Sequence, residues 1–129
     1  MDRDKARQLA EAIALGRIAI GLAALIAPTV PLRPWVGRDF AWQPRAKLLA
    51  RSLGARDLAL GVGVMLALRH KAPVRGWVEG AVLADAGDAL ATLLAFGSLP
   101  KSGRWVVLAS AAGAAAAGRL TASVVDSEG

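Results

Sequence analysis

Among the ionisable residues inside otherwise apolar stretches of this sequence, six lie where they could do chemistry: Arg17, Arg51, Arg56, Asp57, Asp85 and Asp88. A guanidinium group can clamp an anion or a carbonyl, and a carboxylate can hold or pass a proton. Arg17 and Arg56 suit the first role. Asp57 suits orienting an arginine, and Asp85 and Asp88 suit carrying an exchangeable proton. The last two lie one helical turn apart on one face. Carboxylates that close repel unless an arginine lies between them.

Other chemistries are closed off. The chain has no Cys, so it has no thiolate nucleophile, no disulfide and no iron–sulfur site. Its one His, His70, sits between Arg69 and Lys71, which excludes a His-rich metal site. No phosphate-binding Gly loop, HExxH or GxSxG pattern occurs, and no metal or cofactor is expected. Gly61-Val-Gly63 falls in an apolar run, where packing explains it. The net charge of +6 first suggests nucleic acid. The basic residues instead flank apolar segments and form no stripe with interleaved aromatics, so no nucleic acid is expected. Basic flanks suit anionic lipid headgroups.

The elements that must position these charges are helices. The 129 residues suffice for one domain, 55% of them are hydrophobic, and the mean hydropathy is +0.45. Four apolar segments follow one another, at about 8–27, 46–68, 76–97 and 105–124. Each has about the 20 residues that cross a bilayer as a helix. A run of such segments argues against an N-terminal signal peptide. Pro28, Pro73 and Pro100 separate them, while Pro31, Pro34 and Pro44 keep the first loop irregular. That loop, 28–45, is long and amphipathic and suits a short interfacial helix or re-entrant cap. Trp35, Trp42, Trp77 and Trp105 mark segment ends, as an aromatic belt would. The expected fold is all-α: an integral membrane four-helix bundle with a long Pro/Trp-containing first loop. The lipid bilayer is the first partner. A soluble Ala-rich bundle would need a polar face on every helix, and the fourth segment has none.

Depth ties the charges together. The first segment is centred near Arg17, the second near Arg56 and Asp57, the third between Asp85 and Asp88. A charge at the bilayer centre costs about 2.5–3.5 kcal/mol unless it faces inward and pairs. Arg17, Arg51 and Arg56 would balance Asp57, Asp85 and Asp88 in a nearly neutral inner network. At 100° per residue, Ala10, Ala14, Gly21 and Ala24 share the Arg17 side, and Arg51, Gly54, Asp57 and Gly61 share a third of the second helix. Glu79, in the first turn of its helix, faces headgroup water. Ala109, Gly113 and Ala117 form a small-residue ridge suited to close packing within the monomer, with a homodimer seam as the alternative.

Arg51-Ser-Leu-Gly-Ala-Arg-Asp-Leu-Ala-Leu-Gly61, Leu15-Gly-Arg-Ile-Ala-Ile-Gly21 with Ala27-Pro28, and Ala84-Asp-Ala-Gly-Asp-Ala89 resemble a known group. It comprises uncharacterised four-helix membrane proteins of actinobacteria, the DUF4267-like group, distantly similar to the DoxX superfamily. The resemblance implies membrane topology and singles out Arg17, Arg56, Asp57, Asp85 and Asp88. It brings no established reaction.

Three functions remain open. The first is a binding site for a small or lipid-soluble molecule, apolar or anionic, with proton-coupled transport as its extension. The second is a non-catalytic accessory subunit of a membrane complex, whose charges only fix helix register. The third is a membrane-embedded isomerase or hydratase. The expected location is the cell membrane, multi-pass, with cytoplasmic termini.

Overall fold

The computed structural model describes residues 1–126, apart from the Ser102 side chain. Six α-helices follow in order: α1 (Arg3–Ile26), α2 (Thr29–Val36), α3 (Arg38–Ala41), α4 (Pro44–Arg69), α5 (Arg75–Leu94) and α6 (Lys101–Ala122). There are no strands among the described residues. The four long helices match the four apolar segments. At 1.5 Å per residue they run about 30–39 Å. The third segment ends earlier than expected, because Phe96–Ser98 turns as a 3₁₀ helix.

Asp2 caps α1 by accepting the Lys5 N–H at 2.8 Å, satisfying one of the orphan donors of the first turn. Pro44 opens α4, where its missing N–H costs nothing. The first loop is more ordered than its prolines suggest. α2 contains Pro31 and Pro34. Pro31 falls in the first turn, where no intrahelical N–H bond is lost. Gly37 then turns the chain into α3 with φ of 90°, a conformation open chiefly to glycine.

The long helices form two pairs, α1 with α4 and α5 with α6, that meet along a thinner seam. Small residues let α1 and α4 approach. Ala10, Ala14, Gly21 and Ala24 are buried on α1, and Ala50, Gly54 and Gly61 on α4. A Cβ added to Gly61 would sit 2.7 Å from the Ala14 carbonyl oxygen. Backbones this close gain dispersion along their length. Two apolar clusters result. One gathers Ala6, Ala10, Ala14, Val64, Val74 and Val78, and the other Leu32, Ala41, Ala46 and Ala50.

Large side chains are arranged the other way round. Ile26, Leu83 and Leu94 are 78%, 74% and 82% exposed, while Arg17 and Asp85 are 8% and 9% exposed. The molecule carries charge inside and bulky apolar surface outside. By length and composition, α1 and the Gly103–Ala122 part of α6 are apolar enough to cross a membrane. Four such helices were expected. α4 and α5 are long enough but carry more charged residues within their apolar stretches, Arg51, Arg56 and Asp57 in α4 and Glu79, Asp85 and Asp88 in α5.

The α6 ridge departs from expectation. Ala109 and Gly113 are exposed, and a Cβ on Gly113 would meet nothing within 4 Å. The ridge does not pack within the monomer. Gly103 and Gly118 do that work, against the Pro34 backbone and the Val82 side chain.

Candidate functional site

Five of the six singled-out residues meet. Arg17, from the small-residue face of α1, donates from Nη1 to Asp57 Oδ1 at 2.9 Å. Its Nη2 donates to Asp85 Oδ2 and to the Ala81 carbonyl at 3.3 Å. Arg56 grips Asp88 in a bidentate fork, at 3.1 Å from Nη1 and 2.8 Å from Nη2. Arg56 Nη2 also donates to Asp57 Oδ1 at 3.3 Å. The charges therefore alternate along one ladder, Asp85–Arg17–Asp57–Arg56–Asp88. It links α1, α4 and α5 at a level between the two apolar clusters.

Asp85 and Asp88 share a face of α5, as their spacing predicts, yet each has its own arginine. Charge-assisted bonds of this kind offset part of the desolvation cost of bringing ions inside. Arg51 stands apart. It is exposed, and its Nε donates to the Leu25 carbonyl at 3.1 Å. The reason is angular. Arg51 lies about 120° around the helix from Asp57, and the C-terminal end of α1 offers its free carbonyls there. Without Arg51 the expected balance of three against three becomes two guanidinium groups against three carboxylates.

The ladder forms one wall of a cavity of about 400 Å³ between α1, α2, α4, α5 and α6. That volume lies within the range of small-molecule sites. The remaining walls are mainly apolar: Ile13, Ile20 and Leu53 on one side, Leu32 and Val107 on the other. Ser110 and Trp35 add the only uncharged polar side chains among the described residues there. Trp35 was expected in an interfacial belt. Instead its indole N–H donates to Thr92 Oγ1 at 3.2 Å, fixing α2 against α5 beside the cavity. The other three Trp are largely exposed: Trp42 lies under the Lys47 ammonium at 4.7 Å, and Trp105 packs edge-on to Phe96.

Glu79 keeps clear of the ladder, as its depth predicts. It accepts from Arg75 Nε at 2.7 Å and lies 3.8 Å from Arg119.

One polar anchor escaped the sequence reading. Asp126 Oδ2 accepts the backbone N–H groups of Val74 at 2.6 Å and Arg75 at 2.7 Å. It caps α5 from 52 residues away. Its other oxygen lies 3.8 Å from Arg7 of α1. Local capping patterns cannot reveal a donor–acceptor pair so distant in sequence.

No group of three or more His, Cys, Asp or Glu suited to a metal ion occurs among the described residues. Compared with known protein families, with curated proteins and with solved structures, the chain matches none.

Proposed function

We propose that the four long helices all span a bilayer and that the cavity binds a small lipid-soluble molecule with a polar head. The observation that carries this reading is the distribution of polarity. Charge lies within, bulky apolar side chains lie without, and a cavity joins an apolar wall to a charged one. In water such an exterior would be a large exposed apolar surface. In lipid it needs no cover, and the inward ladder is the arrangement that lets α4 and α5 carry charge at mid-depth. Intramembrane ionisable groups facing a cavity commonly mark ligand or ion pathways. The resemblance to the actinobacterial four-helix group, carried by residues 51–61, 15–21 with 27–28, and 84–89, belongs to the same proposal.

The accessory-subunit reading assigns the ladder a purely structural role. The cavity beside the ladder favours binding over that role. The test is co-purification. Chain purified in mild detergent should carry a lipid-soluble compound identifiable by mass spectrometry of organic extracts. Ser110→Trp, which fills the cavity from α6, should remove that compound while the protein stays folded. Equal recovery from both proteins would overturn the reading.

A further inference from the structure

We infer that the ladder holds one exchangeable positive charge, taken either by a proton or by the ammonium head of a lipophilic amine, each excluding the other. The inference rests on the binding reading above and names its ligand class.

Two guanidinium groups face three carboxylates, which leaves one negative charge in excess. No other charged side chain among the described residues lines the cavity. Arg17 comes from α1, Arg56 and Asp57 from α4, Asp85 and Asp88 from α5, while α2 and α6 contribute none. An unbalanced charge away from water is costly, so the ladder recruits one positive charge. The arginines are poor receptors for an anion. Both terminal nitrogens of each are already committed to carboxylates. An anion would also double the excess charge. Asp57 Oδ2 and Asp85 Oδ1 receive no hydrogen bond among the described residues, and the Nε donors of Arg17 and Arg56 are buried without a partner. A primary ammonium brings the positive charge the wall lacks, with N–H donors for the two open carboxylate oxygens. Its alkyl chain would lie along Ile20, Leu53 and Val107. The charge excess favours a cationic molecule over the anionic one expected from the arginines alone.

The exchange balances. A protonated ladder plus an alkylammonium ion gives an ionised ladder paired with that ion, and one proton leaves to water. No bond other than O–H breaks.

The test uses the full chain in detergent and three probes of equal length: decylammonium, decanol and decanoate. Isothermal titration calorimetry is run between about pH 5.5 and 8 in buffers of differing ionisation enthalpy, with empty micelles subtracted. Decylammonium should bind saturably, decanol far more weakly and decanoate not at all. Amine affinity should fall by up to about tenfold for each pH unit lowered, with about one proton released per amine at the acidic end. Asp88→Asn should abolish the proton release and weaken the amine, whereas Glu79→Gln should leave both unchanged. The unsubstituted chain alone decides the matter if Asp88→Asn does not fold. Decanol or decanoate binding as tightly as decylammonium, or amine binding without proton release at every pH, would overturn the exchange and leave the cavity reading standing. No saturable binding of any probe would remove both.

Discussion

Gly21 of α1 and Gly54 of α4 meet backbone to backbone. A Cβ on Gly21 would lie 2.7 Å from the Gly54 carbonyl oxygen, and one on Gly54 would lie 2.8 Å from that of Gly21. Neither oxygen can swing away as a side chain could. This contact sets the spacing that lets Arg17 reach Asp57 across the same interface. Gly54→Val is therefore expected to cost about 1–3 kcal/mol or more by forcing the helices apart. Gly113→Val, at an open position on α6, should be silent. Thermal unfolding in detergent, followed by size-exclusion chromatography, compares the two. Equal melting temperatures would refute the assigned interface.

Ladder residues should differ sharply from peripheral ones. Asp85→Leu or Asp88→Leu removes the main carboxylate partner of Arg17 or Arg56 and leaves that arginine only its share of Asp57, a loss of up to about 3–5 kcal/mol for one partner of a buried pair. Glu79→Gln and Arg51→Ala, at exposed or half-exposed positions outside the ladder, should change folded yield little. Fluorescence-detected yield after detergent extraction gives the ranking. Comparable losses at all four positions would contradict the separation of ladder from periphery.

The distant cap on α5 makes a third case. Asp126→Ala removes an acceptor from two backbone N–H groups and should cost about 1 kcal/mol, in line with other lost caps. Asp126→Asn keeps a carbonyl oxygen and should retain part of that. Amide hydrogen exchange at Val74 and Arg75 reports the cap directly. Unchanged protection in Asp126→Ala would show that the bonds contribute nothing.

Membrane topology is tested by extraction and by fusion. The chain should remain in the membrane fraction after alkaline carbonate and require detergent for release. Recovery as a detergent-free soluble monomer would end the membrane reading. With four spans both termini share a side. That side carries Arg3, Lys5, Arg7, Arg69, Lys71, Arg75 and Arg119, against Arg33, Arg38, Arg45, Lys47, Lys101 and Arg104 on the other. The compact 69–75 connection lies close to its helices, so the positive-inside rule favours cytoplasmic termini by a narrow margin. A C-terminal reporter active only in the cytoplasm should give the main signal. Signal only from an externally active reporter would reverse the orientation. Comparable signals from both would indicate dual insertion.

Helix positions were legible because apolar length and proline punctuation are local properties. Residues 46–68 became Pro44–Arg69, and the inward faces of α1 and α4 followed from the 100° step. The charge cluster was legible for the same reason, since Arg17, Asp57, Asp85 and Asp88 lie at one depth on small-residue or shared faces. Arg51 was misplaced because a helical wheel ignores what the neighbouring helix offers, here the Leu25 carbonyl. Trp35 and Asp126 act through partners on other elements, Thr92 and Val74, and no pattern within their own segments encodes those partners. The outward turn of Ala109 and Gly113 was equally hidden. A stripe of small residues permits close contact on whichever side it faces, and the rotation of α6 was set by Gly103 and Gly118.

The two helix pairs divide the ladder unevenly. Arg17, Arg56 and Asp57 ride on the α1–α4 pair, and Asp85 and Asp88 ride on the α5–α6 pair. One half thus carries a surplus of positive charge and the other is wholly negative, so the seam between them is closed by an electrostatic latch. The glycine contacts within α1–α4 are indifferent to charge. Neutralising the α5 carboxylates slackens the latch and leaves those contacts intact, while the apolar cluster of Ala10, Ala14, Val64 and Val78 still joins the halves.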